Sequence, residues 1–140
     1  MSEDCIFCSI VDGEIPSRTV YEDDTVFAFL DVNPLAAGHT LVIPKAHHER
    51  LNDVPDDVAS DLYAALHDLV PAVEAAVDAP ASTVAFNNGE AAGQEVPHVH
   101  AHIVPRTEGD GGGPIHSMFG THPELSEEEL DDIAAAISSA

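Results

Sequence analysis

Basic side chains are scarce in this chain of 140 residues. Four Lys and Arg face 26 Asp and Glu, a formal charge of −22 with neutral histidines. Such a surface repels nucleic acid backbones and anionic membranes, so neither is expected as a partner. No run of 18 apolar residues occurs, and no transmembrane helix is expected. The chain opens MSEDCIFC, with acid where a secretory signal carries Lys or Arg, so the expected location is cytoplasmic. Cysteine is limited to Cys5 and Cys8. Without export, a structural disulfide between them is not expected.

What is present fits one domain with an ordinary core, since 44% of the residues are hydrophobic. No internal repeat or linker interrupts it. Residues 5–12 read as a short helix stopped by Gly13 and Pro16. Residues 18–22 and 25–30 read as strands around the turn Asp23-Asp24, and residues 39–44 as a third strand after a loop holding Asn33, Pro34 and Gly38. Over residues 55–79, Val58, Leu62, Leu66, Leu69, Val73 and Val77 form one helical stripe, with Asp53 as the expected N-cap and Pro71 expected to kink or end the helix. Residues 82–87 and 98–104 read as two more strands, joined by a loop with two glycines. Ser126 and Glu129 form a capping box for a last helix with Leu130, Ile133, Ala134 and Ile137 on its apolar face. Strands and helices without regular βαβ alternation predict an α+β fold built on a mainly antiparallel five-stranded sheet.

Residues 98–104 read His-Val-His-Ala-His-Ile-Val. On a strand, side chains alternate between faces. His98, His100 and His102 are then expected on one face, with Val99, Ala101 and Ile103 on the other. Three aligned imidazoles have little packing value and point to chemistry. One reading is a metal triad, because His-x-His pairs ligate zinc. A dinuclear variant of that pattern needs Asp at position 102, and a barrel hydrolase needs about 250 residues. The other reading is covalent: one imidazole attacks phosphorus and its neighbours hold the phosphate. The absence of a G-x-S-x-G sequence favours the second.

At this point the chain resembles the histidine triad superfamily. Residues 98–104 match its His-φ-His-φ-His-φ-φ signature. Cys5-Ile-Phe-Cys8, Gly13-Glu-Ile-Pro16, Phe29-Leu-Asp31, Gly38 to His47, Asn88-Gly89, Gly93-Gln94 and Pro105-Arg106 follow the family order. The resemblance covers about residues 5–106, with 107–140 as a less diagnostic tail of the same domain. It implies a nucleotide hydrolase or phosphoramidase in which His100 is the nucleophile, forming a nucleotidyl-histidine that water then cleaves. His102 and His39 complete the catalytic set, and no catalytic cofactor is needed. It implies that Asp31 meets the ribose, and that Asn87, with Asn88 as the alternative, meets the phosphate together with Gly93, Gln94 and Glu95. Gly89 and Gly93 are expected to offer backbone N–H groups. Glu95 stands where the family often has Ser or Thr, so its backbone N–H is expected to serve instead. Val32, Ile10 and Phe29 are candidates for the wall of the base. Cys5, Cys8, His47 and His98 match the family's structural zinc ligands, with His48 as the alternative to His47. A purine nucleotide substrate and a homodimer are implied as well. Cleavage of dinucleoside polyphosphates and a nucleotide-binding adaptor with little turnover stand as alternatives.

The acidic charge also describes a habitat. Acids spread along the chain with little lysine suit a salt-in halophile. At 0.01 M salt the Debye length is about 30 Å, so nearly every charge feels the others; at about 1 M it is about 3 Å. The same field is expected to raise the pKa of nearby histidines. Melting temperature and apparent substrate affinity are therefore expected to rise between about 0.05 M and about 2 M potassium chloride. Equal melting and equal rates at both ends of that range would contradict the halophile reading.

Overall fold

The computed structural model describes residues 4–140, so the first three acidic-terminus residues read above lie outside the described residues. Two compact units occur, one up to Asp110 and one over Gly111–Ala140. The first begins with helix α1 (Ile6–Val11), whose N-cap Cys5 accepts the backbone N–H of Cys8 at 3.4 Å. Strands β1 (Thr19–Glu22), β2 (Val26–Leu30) and β3 (Thr40–Pro44) follow. Helix α2 (Asp56–Ala76), β4 (Ala81–Phe86) and β5 (Ala101–Arg106) complete it. The second unit holds a short 3₁₀ turn (Ile115–Ser117) and helix α3 (Glu127–Ser138).

The five strands form one sheet in the order β1-β2-β3-β5-β4, and every neighbouring pair is antiparallel. The α+β architecture read from the sequence is the one observed. Side chains divide between the two faces as strand alternation requires. Val26, Ala28, Val42, Ala101 and Ile103 pack against Leu62, Ala65, Leu66, Leu69 and Val73 of α2. Phe27, Phe29, Leu41 and Ile43 turn to the other face and pack with Cys5, Phe7, Cys8 and Ile10. Central strands β2 and β3 are thus covered on both sides, which is why VFAFL and TLVIP read as continuous apolar runs.

Three local expectations are corrected. The strand expected from residue 98 begins only at Ala101. Opposite its missing part stands Pro44, which has no N–H to give a ladder and whose carbonyl is taken by the His98 side chain at 2.8 Å. The Val99 N–H goes to the His48 carbonyl instead, at 2.7 Å. Helix α2 runs through Pro71 rather than ending there. Leu69 and Val73 on either side are buried against the sheet, and that burial offsets the lost hydrogen bond. Its N-cap is Pro55, not Asp53. Asp53 closes a 3₁₀ turn (Leu51–Asp53) by accepting the Arg50 N–H at 3.2 Å. In the second unit the expected capping box forms: Ser126 Oγ accepts the Glu129 N–H at 3.1 Å, and Glu129 Oε1 accepts the Ser126 N–H at 3.3 Å.

One glycine sets the approach to the histidines. Gly38 has φ +90°, and a Cβ there would lie 2.9 Å from Val77 Cγ1 and 3.2 Å from Pro105 Cγ. Both the backbone conformation and the space exclude a side chain, so the chain turns tightly into His39 and β3.

Candidate active site

Phe7 of α1 lies edge-on to His100, with ring centroids 5.0 Å apart, and touches His98 at 5.8 Å. Both imidazoles therefore face the α1 side of the sheet, while Ala101 and Ile103 face α2. His98 is fully buried. Its Nε2–H donates to the Pro44 carbonyl at 2.8 Å, which leaves Nδ1 as a lone pair. That lone pair faces Cys5 Sγ at 3.3 Å and Cys8 Sγ at 3.6 Å, and His47 Nδ1 lies 3.5 Å from Cys8 Sγ. The four ligand atoms all fall within 4.8 Å of one another. Two thiols and two imidazoles at this spacing could hold a metal ion, and the donor set is of the kind that suits tetrahedral zinc. The Pro44 carbonyl fixes the His98 tautomer from outside that set. His48 contributes only its carbonyl to Val99 and is not among the four.

His100 is oriented from the same place. Its Nδ1–H donates to the His98 carbonyl at 2.7 Å, so the lone pair sits on Nε2. A second chain fixes His102. The Leu35 N–H donates to His39 Nδ1 at 3.1 Å, so the proton of His39 is on Nε2. That proton is donated to His102 Nδ1 at 2.9 Å, which places the proton of His102 on its own Nε2. His102 Nε2 is buried and has no partner among the described residues. The His100 and His102 imidazoles lie 5.0 Å apart between centroids, tilted at 59°, and offer complementary functions, a lone pair on His100 and a proton on His102.

They line a cleft of roughly 380 Å³ together with His39, Asp31, Asn87, Gly93, Glu95 and Val96. Asp31 caps its loop by accepting the Asn33 N–H at 2.9 Å, and its other oxygen lies 3.7 Å from His39 Nδ1. Asn87 is in the cleft, whereas Asn88 is spent on the Leu51 N–H and the Asn52 side chain. The glycine N–H groups are corrected. Gly89 donates to Gln94 Oε1 at 2.8 Å and Gly93 to the Glu90 carbonyl at 2.9 Å, so neither is free for an oxyanion. Gln94 holds the loop rather than a ligand, because its Nε2 also donates to the carbonyls of Glu49 and Val96. Among the described residues, the N–H groups of Glu95 and Val96 carry no hydrogen bond, and both residues line the cleft. Of the candidates for the base wall, Val32 lines it, while Ile10 and Phe29 are core residues. Ile6, Phe7, Leu35 and Leu41 complete the apolar end. None of these four was expected in the cleft, since nothing in the local sequence separates an apolar cleft residue from a core residue.

Burial lowers the pKa of His39, His98, His100 and His102, the last two triad ends, His98 and His102, to about 4. In each case desolvation of the imidazolium is the main cause. Asp31 and Glu95 push His100 the other way and are outweighed. The expectation that the acidic field raises these values is therefore corrected: a field from solvated carboxylates is weaker than the loss of water around a buried cation. The sign for pH follows. A nucleophile whose pKa is lowered stays neutral below the ordinary imidazole value of about 6.5. The acid limb of kcat/KM is expected below pH 6.5, and stability is expected to fall as pH drops from about 6.5 toward about 4, where the unfolded chain binds more protons than the folded one. An acid limb above pH 6.5 with substrate unsaturating would contradict this assignment of neutral histidines.

Comparison with known proteins agrees with the geometry. The HIT domain model matches residues 12–109. An uncharacterised HIT-like protein of Methanocaldococcus jannaschii is 50% identical over 133 residues, covering 95% of this chain and 98% of its own. An adenosine 5′-monophosphoramidase of Saccharomyces cerevisiae is 41% identical, covering 77% of this chain and 66% of its own. An adenylylsulfatase of Arabidopsis thaliana is 40% identical over 79% of this chain, which spans 56% of the length of that larger protein. The crystal structure of a HIT family member from Bacillus subtilis superposes with a TM-score of 0.88 at 41% identity, covering 98% of this chain and 96% of that one. With the family model matched over residues 12–109 and relatives covered almost end to end, the chain belongs to the HIT domain family.

Proposed function

We propose that this protein hydrolyses nucleoside phosphoramidates, or nucleotidyl compounds of the same kind, through a covalent intermediate on His100. The observation that carries the proposal is the 2.7 Å bond from His100 Nδ1–H to the His98 carbonyl, which leaves the Nε2 lone pair in the cleft beside the unpartnered proton of His102. His100 Nε2 bonds to the α-phosphorus, the bond from phosphorus to the leaving atom breaks, and that atom takes the Nε2 proton of His102, which solvent replaces so that His102 stays neutral. Water then adds its OH to phosphorus, the bond between phosphorus and His100 breaks, and the remaining proton returns to solvent through His102. Every atom and proton is accounted for, and His100 ends as it began. The N–H groups of Glu95 and Val96, with Asn87, stabilise the charged phosphoryl oxygens. Asp31 is placed for a ribose hydroxyl, and the apolar end of the cleft suits a purine base. The named activity of the yeast relative supports this substrate class.

The reading extends to a structural zinc held by Cys5, Cys8, His47 and His98, with no step of the reaction passing through it. The metal would neutralise the two thiols and fix the turn that carries the His98 carbonyl. It extends also to a homodimer, with β1 or β4 as the sheet edges open to a second copy, and to a salt-rich cytoplasm as the setting.

Replacing His100 with Ala is expected to cut hydrolysis of adenosine phosphoramidate by more than about a hundredfold while nucleotide affinity changes less than about tenfold, because the covalent bond exists only beyond the ground state. Retention of more than about a tenth of the rate would remove His100 as the nucleophile. Rates on a diadenosine polyphosphate, measured alongside, decide between the two branches of hydrolysis.

For the metal, elemental analysis is expected to find about one zinc per chain, and the Cys5→Ser, Cys8→Ser double variant to melt at a lower temperature. A metal-free preparation that melts like the purified protein would overturn the zinc assignment.

A further inference from the structure

A second and larger cavity, of roughly 730 Å³, adjoins the catalytic cleft, and Gly93 and Glu95 line both. The two differ in chemistry. The cleft has an apolar end suited to a nucleoside, built from Ile6, Phe7, Val32, Leu35 and Leu41. The second cavity has no such wall; its charged groups are Glu49, Glu90, Glu95 and Arg50. A nucleotide seated with its base against the apolar end and its phosphorus at His100 therefore directs its other substituent toward the second cavity. Three carboxylates against one guanidinium give that space a net charge of about −2 at neutral pH.

Glu95 stands where the two spaces meet. Among the described residues its carboxylate has no hydrogen bond or ion pair, although its charge reaches His100. It sits on a stretch fixed at both sides. Gln94 makes three side-chain hydrogen bonds, and the Val96 carbonyl accepts from both Gln94 Nε2 and the His98 N–H. An unpaired carboxylate on a rigid loop, next to the phosphorus, is costly for an enzyme whose substrate is itself an anion. The cost is offset if the departing group brings N–H donors or positive charge to it.

Resting on the reaction proposed above, we infer that Glu95 selects the leaving group. It accepts a hydrogen bond from an amine, favouring amines that carry further positive charge. It repels leaving groups that are anionic, such as sulfate or a phosphate chain. Arg50 does not reverse this preference. Its guanidinium lies over Gly89, where an added Cβ would be 3.2 Å from Cζ, and three carboxylates line the same cavity.

The test uses two adenosine phosphoramidates of equal chain length, one ending in an ammonium and one in a carboxylate, at one potassium chloride concentration where both proteins melt alike. The unaltered protein is expected to favour the ammonium compound in kcat/KM, and Glu95→Gln to reduce that ratio about tenfold. Binding of the same pair to His100→Ala, with and without Glu95→Gln, reads the preference without turnover. A shift in binding ratio there supports the selector even if hydrolysis fails, and such a failure would fall on the proposed reaction alone. A ratio unchanged by Glu95→Gln in both measurements, or a preference for the carboxylate compound in the unaltered protein, would overturn the inference.

Discussion

His98 is held at three points, and the site depends on all of them. Its Nε2–H is fixed by the Pro44 carbonyl, its Nδ1 faces the two thiols, and its own carbonyl receives the proton of His100. The first bond decides the tautomer, and the tautomer decides that a lone pair is offered to the cysteines. The third decides which nitrogen of His100 carries the lone pair. One residue thus couples the N-terminal helix, the end of β3 and the His100 imidazole. Its ring is wholly buried, so these partners are not replaceable by water.

A chain with so many carboxylates builds its reacting centre from neutral groups. The three buried imidazoles and the half-buried His102 are paired with backbone groups, with one another or with thiols, and none needs a counter-ion. Burial keeps them uncharged against a field that favours the cation. Two of the few cations are committed elsewhere: Lys45 bonds Glu22 at 2.7 Å and Arg106 bonds Asp110 at 2.8 Å. Phosphate recognition in the proposed reaction therefore falls to the N–H groups of Glu95 and Val96, to Asn87 and to the triad. Backbone donors carry partial charge that salt screens less at contact than it screens distant ions.

The sheet serves as a partition. Its α2 face is sealed by aliphatic packing, and its other face carries Phe7, the thiols and the histidines. Because β3 and β5 pair only over Thr40–Val42 and Ala101–Ile103, the chain before Ala101 is released from the ladder. That release lets the His98 carbonyl turn to a side chain instead of a neighbouring strand. Arrest of the strand at Pro44 and the aim of His100 are two consequences of one missing N–H.

Much of this was legible in the residues. Alternation of His with Val, Ala and Ile assigned the two faces of β5, since side-chain direction on an extended chain depends on nothing more than parity. The paired cysteines and the periodic stripe of α2 were equally local signals. Tertiary structure decided what depends on where distant segments meet. It chose His47 over His48 and Asn87 over Asn88, because each choice turns on which of two adjacent side chains faces a segment some forty residues away in sequence or more. It removed Gly89 and Gly93 as donors, since Gln94 and Glu90 had already taken their protons. It set the sign of the histidine pKa shifts as well. The sequence by itself determined the charge and the identity of the imidazoles, but desolvation exists only once Phe7, the sheet and the loop have closed around them.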